Sequence, residues 1–326
     1  MTFRVLVAAI AIAATSQPLR RFEYRQPHMG TMMRIVLYTA SENDAKQAAD
    51  AAFARIAALD ETLSDYRDSS ELMRVSQAAG GPAVPVSADL FRVLSASQSL
   101  ARSTAGAFDV TAGPLTILWR AARRQRILPD ADELQRARLL VGDAKLELDA
   151  ARQTVRLRDA GMQLDVGGIA KGFAADEAVA VLVQRRMKRV LVAAGGDVVV
   201  GDAPPGRDGW VVAVVGLGPS AVGSVTLRNQ AVSTSGDAEQ HVEVNGVRYS
   251  HILDPRTGQA VVGRSSVTVI ARNGISSDSL ATALSVMERG AGLRLVDTIK
   301  GASARISTID TDGQLKTYMS SRWRKR

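Results

Sequence analysis

Residues Leu164–Gly172 read LDVGGIAKG, and the fold is best interpreted outward from this stretch. Asp165 ends an apolar run, and paired glycines, Lys171 and another glycine follow it. From Phe173 onward, apolar residues recur at three- and four-residue spacing, which indicates a helix. The pattern therefore predicts a strand, a glycine turn and a helix. Such a turn lets a ligand approach the backbone, and the free N–H groups of a helix start favour phosphate.

The order of residues in this stretch excludes two familiar phosphate-binding motifs. A P-loop requires Gly-Lys followed by Ser or Thr, whereas Lys171 here precedes Gly172. The glycine spacing also differs from the dinucleotide fingerprint G-x-G-x-x-G. Taken alone, the stretch also fits a structural turn with a surface lysine, because glycine turns before helices are common.

The composition is typical of a soluble globular protein with a sizeable core. The 326 residues are 46% hydrophobic and 23% charged, which argues against disorder. The elements mix hairpins with helices, and no linker divides them, so we predict a single α+β domain over residues 22–326. The chain contains no cysteine, which excludes disulfides, thiolate catalysis and cysteine-ligated metals.

The net charge of +8 would be compatible with nucleic-acid binding. However, only 4% of residues are aromatic, so stacking platforms are scarce, and we find no nucleic-acid-binding motif in the sequence. We therefore expect no nucleic-acid partner and favour an anionic small molecule. Part of the charge is local, at the C-terminus and in the segment Arg120–Arg126, which we interpret as an exposed helix or an insertion.

The N-terminus resembles a short secretory signal. Arg4 precedes an apolar run, Val5–Ala14, and small residues follow, so we interpret residues 1–16 as a signal peptide. The run is too short to span a bilayer, and we expect no stable membrane insertion of the mature chain. Export, for instance to the periplasm, is the expectation, without a lipoprotein anchor because no cysteine is present. An ordinary N-terminal strand is the alternative.

The segment Asp278–Thr282 (DSLAT) has the most specific chemistry. Asp278 and Thr282 are four residues apart, so on a helix they share a face. A carboxylate and a hydroxyl form an oxygen-only pair that suits Mg²⁺, which completes its shell with water and substrate phosphates. The alternative is structural: Asp278 would cap the helix and Thr282 would face the core.

One histidine precedes a turn and is a candidate for proton transfer. His251 stands before Asp254-Pro255, where it could act as a general base, hold a ligand or serve as a hydrogen-bonded structural residue. Hydrolase interpretations are disfavoured, since neither the G-x-S-x-G elbow nor the H-E-x-x-H pair occurs in the sequence.

Taken together, short blocks spread along the chain resemble the ApbE family of FAD:protein FMN transferases. They occur in the order found in that family, which makes a chance match implausible. The blocks are Met29–Thr31, Leu63–Leu72, Thr104–Trp119, Leu164–Asp176, Gly195–Val198, Thr234–Asp237, Tyr249–Gly258 and Asp278–Thr282.

The resemblance implies a T-fold-like α+β architecture that binds FAD with Mg²⁺ at its pyrophosphate. It implies transfer of the FMN half to a threonine or serine hydroxyl of an acceptor protein, which we expect to be a respiratory or redox protein, with release of AMP. A Mg²⁺-dependent FAD pyrophosphatase differs only in its nucleophile, so the sequence does not separate the two. A non-catalytic FAD-binding carrier is a further alternative, which the intact pair Asp278 and Thr282 disfavours.

The resemblance also assigns roles to individual positions. The implied FAD contacts are Met29, Tyr66, Ala107, Phe108, Asp109, Asp165, Lys171 and Ile252. The implied metal ligands are Asp278, Thr282 and the carbonyls of Gly168 and Ala281. If Ala281 offers its carbonyl, the helix must be locally open there. His251 is the candidate base that deprotonates the acceptor hydroxyl, with Asp165 as its competitor. Ser250 stands where the family often has a second histidine, which leaves His251 alone in its block.

Overall fold

The computed structural model describes residues 18–217, 222–236, 241–310 and 312–323, and the predicted signal peptide lies outside them. The helices are α1 (Glu42–Leu63), α2 (Glu71–Gln77), α3 (Ala88–Ser103), α4 (Gly113–Gln125), α5 (Ala131–Leu139), α6 (Ala170–Gln184), α7 (Gly274–Val286) and α8 (Arg289–Thr298). The strands are β1 (Arg20–His28), β2 (Thr31–Thr39), β3 (Val84–Pro85), β4 (Leu146–Asp149), β5 (Thr154–Leu157), β6 (Val190–Ala194), β7 (Asp197–Val200), β8 (Trp210–Val215), β9 (Val222–Leu227), β10 (Gln230–Gly236), β11 (His241–Val244), β12 (Val247–Asp254), β13 (Gln259–Val262), β14 (Arg264–Ala271), β15 (Ser303–Ile309) and β16 (Leu315–Met319).

An eight-stranded sheet organises the described part of the chain, in the order β1-β2-β6-β7-β10-β14-β15-β16. Every neighbouring pair in it is antiparallel. Helices α1, α6 and α7 pack on one face and form the largest core cluster with it. The hairpin β8–β9 covers the opposite face, where Trp210 and Trp323 join a second cluster.

A smaller layer lies beside the main sheet and encloses a third cluster. Helices α4 and α5 pack there with the small sheet β11-β12-β13. The buried Trp119 ties the layer together, because its indole N–H donates to the Gly258 carbonyl at 2.8 Å and its ring packs against Tyr249. The arginine-rich segment is only in part the exposed helix that was predicted, since α4 buries Ala122 whereas residues 124–126 are exposed.

Local sequence signals account for several boundaries. Ser41 and Ser87 begin α1 and α3, and each hydroxyl accepts the N–H of the third residue onward, which satisfies an otherwise unpaired donor. Asn245 and Gly246 both adopt positive φ in the turn between β11 and β12, as the Asn-Gly hairpin signal requires. Strands β4 and β5 form a further antiparallel hairpin.

The strand predicted at Leu164 is wrong. The chain there is irregular, with one isolated bridge between Ala112 and Gln163. Leu164 and Val166 are buried, as in a strand, but the backbone N–H groups do not pair with a neighbouring strand: Leu164 N–H donates to the Ser76 hydroxyl on α2 and Asp165 N–H to the Val110 carbonyl in a loop. The glycine turn and the helix after it are confirmed.

The first strand begins before the predicted domain boundary at residue 22. Strand β1 starts at Arg20 and pairs with β2 along its whole length. This strand contains three arginines and a glutamate and contributes few apolar residues to the core, chiefly Phe22 and Tyr24, so its sequence does not show a strand pattern. Among the described residues, no helix has the length and apolarity needed to cross a bilayer.

Candidate active site

A cavity of about 960 Å³ opens between the main sheet and the smaller layer. Its walls come from the β1–β2 turn, the loop after α1, helix α4, the glycine turn before α6, the β6–β7 turn, strand β12 and helix α7. Every predicted site residue lines it except Ala281. The lining residues include Met29, Tyr66, Ala107, Phe108, Asp109, Asp165, Gly168, Lys171, His251, Ile252, Asp278 and Thr282.

Helices α6 and α7 cross in direct backbone contact at the inner wall of the cavity. The crossing is at Gly172 and Gly274, where a Cβ on either residue would run into the carbonyl of the other. A Cβ on Gly172 would also lie 2.7 Å from the Cβ of Asp278. Only glycine permits this approach, which brings the start of α6 against the first two turns of α7.

Two carboxylates clasp these helices reciprocally. Asp278, on α7, accepts the N–H of Gly172 at 2.9 Å, in the first turn of α6. Asp176, on α6, accepts the N–H groups of Gly274 and Ile275 at 2.6 and 2.9 Å, in the first turn of α7. Each acid thus caps the other helix, and Asn273 caps α7 itself. Asp278 therefore does not cap its own helix, which was the structural alternative, because Asp278 lies one turn inside α7.

Lys171 lies between two buried carboxylates. Its ammonium nitrogen is 2.7 Å from Asp197 Oδ2 and 3.8 Å from Asp278 Oδ2. Burial raises the pKa of Asp278 strongly, and the charge of Asp197 adds to this, whereas Lys171 counteracts it. Burial alone would lower the pKa of Lys171, but Asp278 and Asp197 raise it above its usual value. Lys171 is thus a firmly charged cation, although 31% of its side chain remains exposed to the cavity.

The oxygen atoms predicted to hold Mg²⁺ lie close together. Thr282 Oγ1 is 3.5 Å from the Gly168 carbonyl oxygen, and Asp278 is on the same face of α7. A Cβ on Gly168 would be 2.9 Å from Thr282 Oγ1, so glycine is needed to bring this carbonyl in. A hydroxyl, a carbonyl and a buried carboxylate fit Mg²⁺, which favours hard oxygen ligands and keeps several waters. No cluster of three or more His, Cys, Asp or Glu side chains suited to a metal occurs among the described residues.

Ala281 differs from this expectation. Helix α7 continues through it to Val286, and its carbonyl accepts the Ser285 hydroxyl at 2.8 Å. The helix is therefore not locally open at Ala281, as a ligand role for its carbonyl would require. The side chain is fully buried, and Ala281 is not among the residues described as lining the cavity.

The mouth of the cavity is shaped by turns. Met29 and Gly30 both have positive φ in the tight turn between β1 and β2, and Met29 N–H donates to Asp60 Oδ2 at 3.0 Å. Asp109 accepts both the N–H and the hydroxyl of Thr111, at 2.9 and 2.7 Å, and burial raises the pKa of Asp109. These contacts hold both backbone segments in place, so the main contribution of these residues is to the shape of the cavity mouth.

The two candidate bases lie on different walls. Asp165 Oδ1 accepts the Gly167 N–H at 2.8 Å, and its Oδ2 is 3.8 Å from a guanidinium nitrogen of Arg120. Strand β12 carries His251 and Ile252 to the cavity wall. Beside them, the buried Ser250 accepts the Ile252 N–H at 3.1 Å, so it has a local structural role.

A model of the ApbE family matches residues 29–306. The chain belongs to the ApbE family. Its similarity to family members extends over most of the sequence, and it is an enzyme of the transferase class. A "FAD:protein FMN transferase" of Treponema pallidum is 32% identical over 304 residues, covering 88% of this chain and 84% of that protein. One from Klebsiella pneumoniae is 31% identical over 272 residues, covering 81% and 82%.

Solved ApbE structures have the same fold. The flavin transferase ApbE from Vibrio cholerae superposes with a TM-score of 0.84 at 28% identity, covering 93% of this chain and 98% of that one. The apo flavinyl transferase ApbE of Pseudomonas stutzeri gives 0.82 at 28% identity, with 93% and 96% covered. The α+β ApbE architecture predicted from the sequence is therefore confirmed.

Sequence reasoning missed several charged residues of this ApbE site. Asp65, Asp197, Arg120 and Arg123 all line the cavity without having been predicted there. One signal was available for the arginines, because Thr116, Arg120 and Arg123 recur at helical spacing on one face of α4. The acids that pair with these cations could not be predicted, because Asp65 and Asp197 belong to elements distant in sequence from Arg120 and Lys171. Asp237, part of the TSGD block, lies outside the described residues.

Proposed function

We propose that this chain transfers the FMN moiety of FAD to a threonine or serine hydroxyl of an acceptor protein and releases AMP, with Mg²⁺ as its cofactor. The observation that carries the proposal is the cluster of Asp278, Thr282, the Gly168 carbonyl and Lys171 at one wall of a large cavity. A cation and hard oxygen ligands side by side suit a pyrophosphate with its metal. The names of the relatives support flavin transfer to proteins.

In the proposed mechanism, the residues of the chain mainly position and neutralise the substrate. Lys171 places a fixed positive charge beside the pyrophosphate, and Asp197 and Asp278 hold its ammonium group in place. Asp278, Thr282 and the Gly168 carbonyl would hold Mg²⁺. When bound, the metal supplies charge neutralisation at the pyrophosphate and polarises the phosphorus. Positioning and electrostatics account for most of the rate enhancement in phosphoryl transfer.

The bond changes balance without any further reactant. The acceptor oxygen attacks the phosphorus of the FMN half, and the bond from that phosphorus to the bridging oxygen breaks. The bridging oxygen leaves with AMP, and the hydroxyl proton passes to a base. His251 is the proposed base, and Asp165 is the competing candidate. Near-normal transfer by His251→Ala would contradict His251 as the base. If Asp165→Asn loses transfer while His251→Ala keeps it, Asp165 is supported as the base.

One incubation tests the proposed function. The purified chain is mixed with FAD, Mg²⁺ and a protein bearing an acceptor threonine, and AMP release is read together with the intact mass of the acceptor. AMP with a mass gain of one FMN establishes the transferase. AMP without a mass gain indicates the pyrophosphatase, and bound FAD without either product indicates the carrier.

The metal assignment is tested by Asp278→Ala. We expect metal-dependent transfer to be lost, because the variant removes the only charged ligand proposed for Mg²⁺. Asp132→Asn, an exposed acid in the first turn of α5, is the matched control and should transfer normally. Retained metal-dependent transfer by Asp278→Ala would contradict the proposed metal site.

We further propose that the chain is exported and acts on respiratory or redox proteins outside the cytoplasm. The support is the signal-like sequence of residues 1–16. Expression of the full chain followed by fractionation and intact-mass measurement tests this, since export predicts a shortened chain in the periplasmic fraction. A full-length chain confined to the cytoplasm would contradict it.

A further inference from the structure

We propose that Arg120 is a positioning residue, which holds Tyr66 as a flat wall for a ring of the bound FAD. The inference rests on the proposed function, since it takes FAD as the ligand of the cavity. Arg120 belongs to the arginine-rich segment, for which the sequence indicated no role. Helix α4 turns this side chain inward, and Thr116 and Arg123 line the cavity with it.

The contacts of Arg120 converge on one aromatic ring and two acids. Its guanidinium carbon lies 4.3 Å from the centroid of the Tyr66 ring, which is within the range of a cation–π contact. One terminal nitrogen is 2.6 Å from Asp65 Oδ2 and 3.8 Å from Asp165 Oδ2. Only 19% of the Arg120 side chain is exposed, so the group is held from several sides.

Tyr66 is exposed in a way that suits a ligand wall. It is 77% exposed although it borders the cavity, and it lies in the loop between α1 and α2. Stacking with Arg120 covers one side of the ring, and the exposed remainder is free to meet a ligand at the cavity that Tyr66 borders. An exposed tyrosine on a loop would otherwise sample several rotamers, and ordering it on binding would cost affinity. Arg120 removes that cost before FAD arrives.

The acids explain why this position is occupied by arginine rather than another cation. Burial and the charge of Asp165 together raise the pKa of Asp65, and Arg120 counteracts part of this rise. A guanidinium can bond carboxylates along its edge while its face stacks on a ring, whereas an ammonium group has no face to offer. Arg120 therefore couples the Asp65–Asp165 pair to the orientation of Tyr66.

A direct bond from Arg120 to a phosphate of FAD is the competing account. Lysine would satisfy that role in large part, because it keeps the charge and the reach. It would not satisfy a stacking role. Arg120→Lys and Arg120→Ala therefore separate the two accounts, and the exposed Arg124 on the same helix provides the control Arg124→Ala.

The test is a double-mutant cycle on the full chain, with the FAD dissociation constant measured by flavin fluorescence in the presence of Mg²⁺. We expect Arg120→Ala and Tyr66→Ala each to weaken binding about tenfold, and the double variant to be little weaker than either single one. Arg120→Lys should bind nearly as weakly as Arg120→Ala, and Arg124→Ala should bind like the wild type. Where transfer is measurable, KM for FAD should rise in Arg120→Ala with kcat nearly unchanged.

Three results would overturn the inference: independent, multiplicative effects of the two substitutions, near-normal binding by Arg120→Lys, or a loss in kcat alone. Thermal unfolding of each variant identifies misfolding, and Arg120→Gln, which keeps a flat polar group, replaces Arg120→Ala if that variant unfolds. Absence of transfer by the wild type with intact FAD binding would contradict only the proposed function. Absence of FAD binding by the wild type would contradict both.

Discussion

At the scale of single residues, Gly172 shows how a missing side chain positions the site. In most helices, replacing glycine by alanine is stabilising by about 0.5–1 kcal/mol. Here the added methyl group would strike the Gly274 carbonyl and lie 2.7 Å from Asp278 Cβ, so the helices would have to separate. The sign of the substitution should therefore reverse.

The first prediction is that Gly172→Ala lowers the free energy of unfolding by about 1–3 kcal/mol, as overpacking does. Chemical denaturation measures this. Gly223→Ala is the control, because its Cβ would meet only the far end of Arg305 at 3.7 Å and should change stability little. A Gly172→Ala variant as stable as the wild type would show that the crossing is not tight.

Lys171 is the second case at this scale, because it separates two acids that would otherwise repel each other. In Lys171→Met, Asp197 and Asp278 remain buried without their cation. We expect a loss of about 1–3 kcal/mol in unfolding free energy at neutral pH, because an unpaired buried charge is costly.

The pH dependence of Lys171→Met follows from the same contacts. Without the cation, the folded-state pKa of Asp278 lies further above its unfolded value, so lost stability should return as pH falls and Asp278 becomes neutral. Denaturation at several pH values checks this. Lys46→Met, which breaks an exposed pair with Asp50, should show little change at any pH. Equal behaviour of the two variants would contradict the prediction.

At the scale of elements, the reciprocal caps of α6 and α7 show which contacts the sequence can predict and which it cannot. Caps close to their own helix can be inferred from the sequence, because Ser41 and Ser87 each lie three residues before the N–H group that they accept. Asp278 caps Gly172 over 106 residues of sequence, and Asp176 caps Gly274 over 98. Spacing along the chain carries no signal for such bonds, because they depend on how the helices cross.

Asp176 gives the clasp a pH dependence. Burial raises the pKa of Asp176 from 3.8 to about 6, against the two backbone N–H groups that favour its charge. Its stabilising contribution is therefore complete below pH 3.8 and is lost as pH rises through about 6. We expect this part of the unfolding free energy to decrease between pH 4 and 6, and Asp176→Asn to flatten it.

Urea denaturation across this pH range measures the effect, and Asp297 provides a comparison of opposite sign. The Ser321 hydroxyl and N–H hold the pKa of Asp297 below 3.8, so its contribution is present above that pH and is lost as pH falls. Asp297→Asn should therefore leave the slope between pH 4 and 6 unchanged. The same slope in the wild type and Asp176→Asn would contradict the assignment.

At the scale of the whole molecule, the site exists only in the folded chain. Its residues extend from Met29 to Thr282 and come from the main sheet, the helical layer and the smaller layer. The ordered motifs predicted which residues meet, since all but Ala281 line the cavity. The motifs could not predict the ion pairs of the cavity, because Arg120–Asp65 and Lys171–Asp197 each join residues from different elements.

Because the unfolded chain holds no such site, ligands that fill it must stabilise the fold by mass action. At a concentration one hundred times its dissociation constant, a ligand adds about 2.7 kcal/mol to the free energy of unfolding. We expect FAD with Mg²⁺ to raise Tm by several degrees, and FAD with a chelator to raise it less. In Asp278→Asn the extra increment from Mg²⁺ should disappear, whereas Asp132→Asn should retain it. A Mg²⁺ increment in Asp278→Asn equal to that of the wild type would place the metal away from α7, whatever the activity of the enzyme.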